Sequence, residues 1–143
     1  TGLSMSFSFI PAIRELIERI RLTRQFVIEM YAYPQEFDIP GDKALHLYKI
    51  VQELLSNILK HARANHVSVN IHYDIGEINL MMEDDGVGFV PAAMVSGIGL
   101  TNIRERMQQL QGELEINSLP GKGTTVLLIV PIYPDNHDSY THS

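Results

Sequence analysis

Four residues of one stretch, Glu53, Asn57, Lys60 and His61, bring together a carboxylate, an amide, a cation and an imidazole. On a helix, successive side chains turn by about 100°, so these four project within one quadrant-wide face. Leu47, Ile50, Val51, Leu54, Leu55, Ile58 and Ala62 fill the opposite arc. Such a stripe suits a magnesium triphosphate. Magnesium takes hard oxygen ligands and keeps several waters, so one amide oxygen plus phosphate oxygens makes a workable shell. Further along, Asp84-Asp85-Gly86-Val87-Gly88-Phe89 sets a carboxylate before two glycines. A carboxylate there can accept a hydrogen bond from an exocyclic amine. The glycines let the backbone turn with positive φ and let a flat ring approach with no Cβ in the way. Gly97-Ile98-Gly99-Leu100 stands before a helical pattern, where free N–H groups and the helix dipole favour an anion. Gly121-Lys122-Gly123-Thr124-Thr125 reads as a tight turn entering a strand. Taken singly, each cluster has a plainer reading: a solvated helix face, an Asp-Gly turn, a glycine-rich helix cap, a hairpin.

The elements that must position these residues follow from periodicity. Residues 11–21 read as a helix, with Pro11 in its first turn and Ile13, Leu16, Ile17 and Ile20 as an apolar stripe. Residues 25–33 alternate as a strand ended by Pro34, and 34–41 form a loop. Asp42 reads as the cap of the longest helix, 43–64. Strands at 67–73 and 78–83 flank a hairpin turn at 74–77, and the second delivers Asp84 at its end. Residues 89–96 read as a mobile loop, and 100–110 as a second well-formed helix with Gly112 at its C-cap. Strands at 113–118 and 124–130 close the pattern, and 134–143 reads as a disordered polar tail after a domain of 11–133. Residues 1–10 read as a lead-in. Helices and hairpins without strict βαβ alternation imply an α+β, two-layer sandwich: a mixed, mostly antiparallel sheet with helices on one face.

Composition excludes several chemistries. A chain of 143 residues, 45% hydrophobic and 20% charged, is an ordinary globular domain able to bury roughly two-thirds of its unfolded surface. Its formal charge of -6 and scattered Lys and Arg argue against a nucleic-acid partner. With no cysteine there are no disulfides, thiolate zinc sites or cysteine nucleophiles, and the six histidines form no zinc pattern. No P-loop motif occurs, and neither glycine pair extends to G-x-G-x-x-G, which removes Rossmann and protein-kinase readings. No apolar run approaches the roughly 18 residues of a membrane span, and no signal peptide is visible. A first residue Thr rather than Met suggests a fragment of a longer protein.

In order and spacing, the four clusters resemble the N, G1, G2 and G3 boxes in the ATP-binding domain of sensor histidine kinases, a fold shared with DNA gyrase, the Hsp90 chaperone and the MutL repair protein. The resemblance runs over residues 43–131. It implies that Asn57 is the magnesium ligand, that Glu53 polarises metal-bound water or the phosphate site, and that Lys60 or His61 faces the phosphates. It gives Asp84 the adenine amine, with Gly86 and Gly88 around it. Gly97, Gly99 and Leu100 take the triphosphate beneath a lid at 89–96, and Thr124 reaches the adenine directly or through water. The chain departs from the pattern at Asp85, where the usual residue is Asn, and in a short lid without a Phe-rich segment. That lid suits a subfamily resembling the nitrate and membrane-fluidity sensors.

The implied function is ATP-dependent phosphoryl transfer to a histidine on a separate helical dimerisation domain, with ATP and magnesium as cofactors and a response regulator as downstream partner. No His followed by an acidic residue precedes the helix at 43–64, so the chain alone is expected to bind ATP, to be monomeric, and to show little autophosphorylation. The domain would be cytoplasmic, in a protein that could be anchored in a membrane. Competing readings on the same fold are an anti-sigma-factor serine kinase, a degenerate partner-binding module, and a gyrase-like or MutL-like ATPase, which would need a longer chain.

Overall fold

Period-two alternation sets five strands, and a computed structural model of the chain, which describes residues 7–88 and 98–132, joins them into one sheet. The lid and Gly97, like the tail, lie outside the described residues. β1 (Val27–Tyr33), β2 (His66–Asp74), β3 (Glu77–Asp84), β4 (Glu113–Leu119) and β5 (Gly123–Pro131) take the order β1-β2-β3-β5-β4. β1 is parallel to β2 and every other pair is antiparallel, so the sheet is mixed and mostly antiparallel. Ile75 and Gly76 join β2 to β3 with φ of 51° and 70°, the left-handed pair of a type I′ turn.

Register turns alternation into a core. Met30, Val69, Met82, Val126 and Ile116 lie side by side across the five strands, and Ala32, Ile71, Leu80, Leu128 and Leu114 form the next row. Both rows belong to the hydrophobic core with the apolar stripes of α1 (Phe9–Arg21), α2 (Gly41–Asn57) and α3 (Ile98–Gln109). The opposite face of the sheet bears six exposed carboxylates, Glu29, Asp74, Glu77, Glu83, Glu113 and Glu115, and no strand carries a Lys or Arg.

Several ends differ from the sequence expectation, each for a physical reason. α1 starts at Phe9, ahead of Pro11, because Phe9 and Ile10 are core residues with 1% and 0% exposure. Phe9→Ala is therefore expected to cost about 3–5 kcal/mol, the range for deleting a buried aromatic ring; a denaturant midpoint unchanged from wild type would show that α1 is not integral. At its other end, the Arg21 guanidinium donates to the Ile28 carbonyl at 2.9 and 3.2 Å, tying α1 to β1. Asp42 is not the cap of α2: Pro40 holds that position without a side-chain bond, and Asp42 falls in the first turn, where a carboxylate favours the helix dipole. The long helix also does not stay α-helical to residue 64. From Ile58–Ala62 it widens into a π-helical turn, and Arg63 leaves it in the left-handed conformation, φ 52°. Gly112 is not the left-handed residue closing α3 either. Gln111 takes that role at φ 56°, with Gly112 N–H bonded to Met107 O and Gln111 N–H to Gln108 O, a Schellman pattern. Gly112 has another reason to be glycine: a Cβ there would sit 2.7 Å from the Ile129 carbonyl oxygen.

Candidate functional site

At one end the helix-facing rows of the sheet change character. Ile28 and Val67 are followed across the sheet by Asp84, Thr124 and Ser118, so an apolar floor ends in three polar side chains on neighbouring strands. Asp84 is half-buried, and Gly86 N–H donates to its Oδ1 at 2.8 Å. Burial pushes this carboxyl above the usual carboxylate value. The Gly86 N–H pulls it back, the neighbouring Asp85 charge adds to the rise, and the Thr124 backbone N–H opposes it. A carboxylate held by backbone donors at the edge of an apolar floor is built to accept one more hydrogen bond.

The glycines around it serve the backbone first. A Cβ on Gly86 would lie 2.1 Å from the Ala62 carbonyl oxygen, and one on Gly88 2.0 Å from that of Leu119. A Cβ on Gly123 would lie 2.1 Å from the Asp84 carbonyl oxygen. Gly88 and Gly123 also take positive φ, 68° and 85°, whereas Gly86 does not. The side of each glycine on which a Cβ would stand is thus filled by other main chain. Hydrogen bonds follow the same seams. Val87 N–H donates to Ala62 O at 2.7 Å, and Gly121 N–H donates to Val87 O. The 85–88 loop is strapped to the π-helical turn on one side and to the β4–β5 turn on the other.

Asp85, the departure from the family pattern, has a clear place. Its Oδ1 accepts the backbone N–H groups of Asn65 and His66 at 2.8 and 2.9 Å, and Oδ2 lies 3.0 Å from His66 Nδ1. It clamps the start of β2 to the end of β3. The His66 backbone N–H, more than any other contact, holds this carboxyl below the usual range. A carboxyl depressed on folding stabilises above its unfolded value, near 3.8, and loses that contribution as pH falls through the lower folded value. Asp85→Ala should therefore melt a few degrees below wild type at neutral pH, with the gap closing below pH 3.8. Asp85→Asn, which keeps an acceptor for both N–H groups, should lose less. Thermal melts across pH check this; a gap independent of pH would remove the carboxylate from the account.

The polar helix face is divided. Glu53 and Asn57 lie half-buried, one turn apart on α2. Lys60 and His61 are exposed, and they ride the π-helical turn, so the α-helical wheel that grouped all four does not describe their direction. Glu53 lines a polar cleft of 180 Å³ between α2 and α3 with Lys49, Gln52, Asn102, Ile103 and Arg106. Arg106 Nη1 is 3.1 Å from His46 Nδ1. Guanidinium has no acceptor, so His46 Nδ1 is the acceptor in this contact. Gly99 and Leu100 are in the first turn of α3, where N–H groups have no intrahelical partner. The Leu100 side chain is buried, which leaves its backbone as the part a ligand can meet. Among the described residues, no three His, Asp or Glu side chains gather as a metal cage.

Three features escape a reading by motif: Ser118, the Lys49 and Arg106 cations of the cleft, and the Ala62 carbonyl. Lys49 alone left a trace, one helical turn before Glu53. No described helix is long and apolar enough to cross a membrane.

This arrangement has known counterparts. Residues 42–134 match the family model described as histidine kinase-, DNA gyrase B-, and HSP90-like ATPase. The chain is 40% identical over 93 residues to an uncharacterized sensor-like histidine kinase of Chloroflexus aurantiacus, covering 60% of this chain and 16% of that protein. It is 37% identical over 91 residues to the sensor histidine kinase LiaS of Bacillus subtilis, covering 63% and 25%. It therefore spans a quarter or less of the length of these relatives. The histidine kinase domain of the Erythrobacter litoralis EL346 blue-light activated histidine kinase superposes with a TM-score of 0.69 at 26% identity, over 86% of this chain and 59% of that one. The polar end-row of the sheet, the glycine straps around it and the match over 42–134 agree: the chain belongs to the histidine kinase-, DNA gyrase B- and HSP90-like ATPase family, as an ATP-binding catalytic domain of the sensor histidine kinase kind.

Proposed function

We propose that this domain binds magnesium-ATP with the adenine amine on Asp84 and presents the γ-phosphate to a histidine on a separate helical dimerisation domain. The observation that carries the reading is the half-buried Asp84 carboxylate, held by backbone N–H groups beside Thr124 at the polar end of an apolar floor. Gly99 and Leu100 offer backbone N–H groups to the triphosphate, with Gly97 just before them in sequence. Lys60 and His61, exposed on the π-helical turn, add positive charge or donors for the phosphates. Glu53, half-buried one turn before Asn57, would polarise metal-bound water or the phosphate site.

Magnesium fits this donor set in one way. The half-buried Asn57 amide oxygen would hold the ion from the protein, with its other oxygens from phosphate and water. When bound, it neutralises charge on the phosphates. Catalysis by the chain's own residues is then positioning and electrostatics. The acceptor histidine, the response regulator and any membrane anchor belong to the full-length kinase, with this domain on the cytoplasmic side. The short 89–96 segment, without a Phe-rich stretch, supports membership in the nitrate- and membrane-fluidity-sensor-like subfamily.

Calorimetric titration with ATP, with and without magnesium, tests the reading. Wild type should bind more tightly with the metal, and Asn57→Ala should erase most of that difference, lowering metal-dependent affinity by about tenfold. Equal magnesium enhancement in both proteins would remove Asn57 as the ligand. No binding by a folded wild type would turn the reading toward a partner-binding module.

A further inference from the structure

The outer face of the sheet is acidic at its margins, but its middle is apolar. Tyr31, Met81 and Leu127 share one row across the strands, and Tyr33 and Ile129 share the next. Tyr31 is 56% exposed, Tyr33 73% and Met81 36%, while Leu127 and Ile129 are half-buried. A sheet with one face on the core and one in water sets apolar residues inside and polar ones outside. Here the outside keeps two tyrosines, a methionine and two aliphatics. Carboxylates flank them. Glu115 and Glu113 end the two rows on β4. Glu29 and Glu83 stand two residues from Tyr31 and Met81 along their strands, hence on the same face. A centre of Tyr, Met and aliphatic side chains, without Lys or Arg and rimmed by charge, has the anatomy of a protein interface.

We infer that this face docks a basic surface of the same kinase polypeptide outside this domain, one that sets Lys and Arg around an apolar centre. The inference rests on the histidine kinase reading above and goes beyond it. A rim of one charge sign selects a cationic partner and disfavours anionic lipid and nucleic acid. Two features favour the same polypeptide over a free protein. Asn70, His72 and Asn79 interrupt the apolar rows, so the face is more polar than an obligate interface and fits contacts between domains of one chain. This chain also spans a quarter or less of the length of the two sensor-kinase relatives. Most of such a protein lies outside the domain, tethered to it at high effective concentration. Asp84 and Thr124 belong to the helix-facing side of the sheet, so a partner on the outer face leaves the nucleotide site open.

Hydroxyl-radical footprinting of the full-length kinase and of this domain alone, read by mass spectrometry, tests the inference. Tyr31, Tyr33 and Met81 should oxidise severalfold more slowly in the full-length protein. Glu29→Lys combined with Glu115→Lys should return their rates in the full-length protein to those of the isolated domain, because the reversed rim repels a basic surface. Both substitutions lie on exposed strand positions away from the nucleotide site, so ATP affinity of the doubly substituted domain should match wild type. Equal rates in the two wild-type proteins would overturn the inference, and so would protection that survives the charge reversal. Either result leaves ATP binding by the domain intact. A folded wild-type domain that binds no ATP would instead overturn the reading on which the inference rests.

Discussion

Asp84→Asn should bind ADP about 30- to 1000-fold more weakly than wild type while melting at the same temperature or higher. The binding loss follows from donor and acceptor counts. One carboxylate oxygen takes the Gly86 N–H, leaving acceptor capacity for an amine. An amide placed there has one oxygen and one NH2. If the oxygen stays on Gly86, the NH2 confronts the adenine amine; if the amide flips, the NH2 confronts the Gly86 N–H. Either way a charge-assisted bond is lost and a half-buried donor goes unpaired, roughly 2–4 kcal/mol together.

The stability side carries the opposite sign. Burial raises the Asp84 pKa on folding, so ionised Asp84 costs the fold stability. That cost is complete above the raised folded value and vanishes below the ordinary value of 3.8. Asn carries no such cost, so any advantage of the variant at neutral pH should shrink on acidification. Calorimetry and thermal melts on the same samples check both halves. A variant that melts well below wild type would make Asp84 a structural residue, and its binding loss would say nothing about adenine.

Gly86→Ala should damage both properties at once. The new Cβ would meet the Ala62 carbonyl oxygen at 2.1 Å and its carbon at 2.8 Å, backbone that cannot swing aside, and the Asp84 carboxylate at 2.9 Å. The 85–88 loop must lift from the π-helical turn, which strains or breaks the Val87–Ala62 hydrogen bond. A loss of about 1–3 kcal/mol in stability is expected from this overpacking. ADP affinity should fall by about tenfold or more, because Lys60 and His61 shift relative to Asp84. Denaturant midpoints and ADP titration read the two effects. Wild-type affinity in a destabilised Gly86→Ala would show that the strap supports the fold without placing the site.

Much of this architecture is legible in the chain, for reasons that also mark the limit. The rows through Val69, Met82 and Val126 follow from alternation, because a strand with one buried face must repeat every second residue. The box residues are visible because their types are unusual for their surroundings. What could not be read depends on distant main chain. Nothing near Gly86 in sequence reports that its empty side is occupied by the carbonyl of Ala62. Asp85 looks like a substituted contact residue until the N–H groups of Asn65 and His66 are seen converging on it. The π-helical turn at Ile58–Ala62 keeps a helical composition, so periodicity runs straight through it. Ser118 looks like any half-polar strand residue until register sets it beside Thr124.

The sheet's outer face, with its six carboxylates and no Lys or Arg, also bears on how a polyanion arrives. The remaining described residues hold all eleven Lys and Arg against nine carboxylates, so the two layers differ in sign across the thickness of the domain. A triphosphate diffusing toward the bare sheet is turned away, and one approaching from the helices is drawn in. Net charge alone, -6, would suggest a body that repels its own ligand from every side. Sorting charge by layer gives capture a direction, set by salt-screened attraction before any pocket residue is touched.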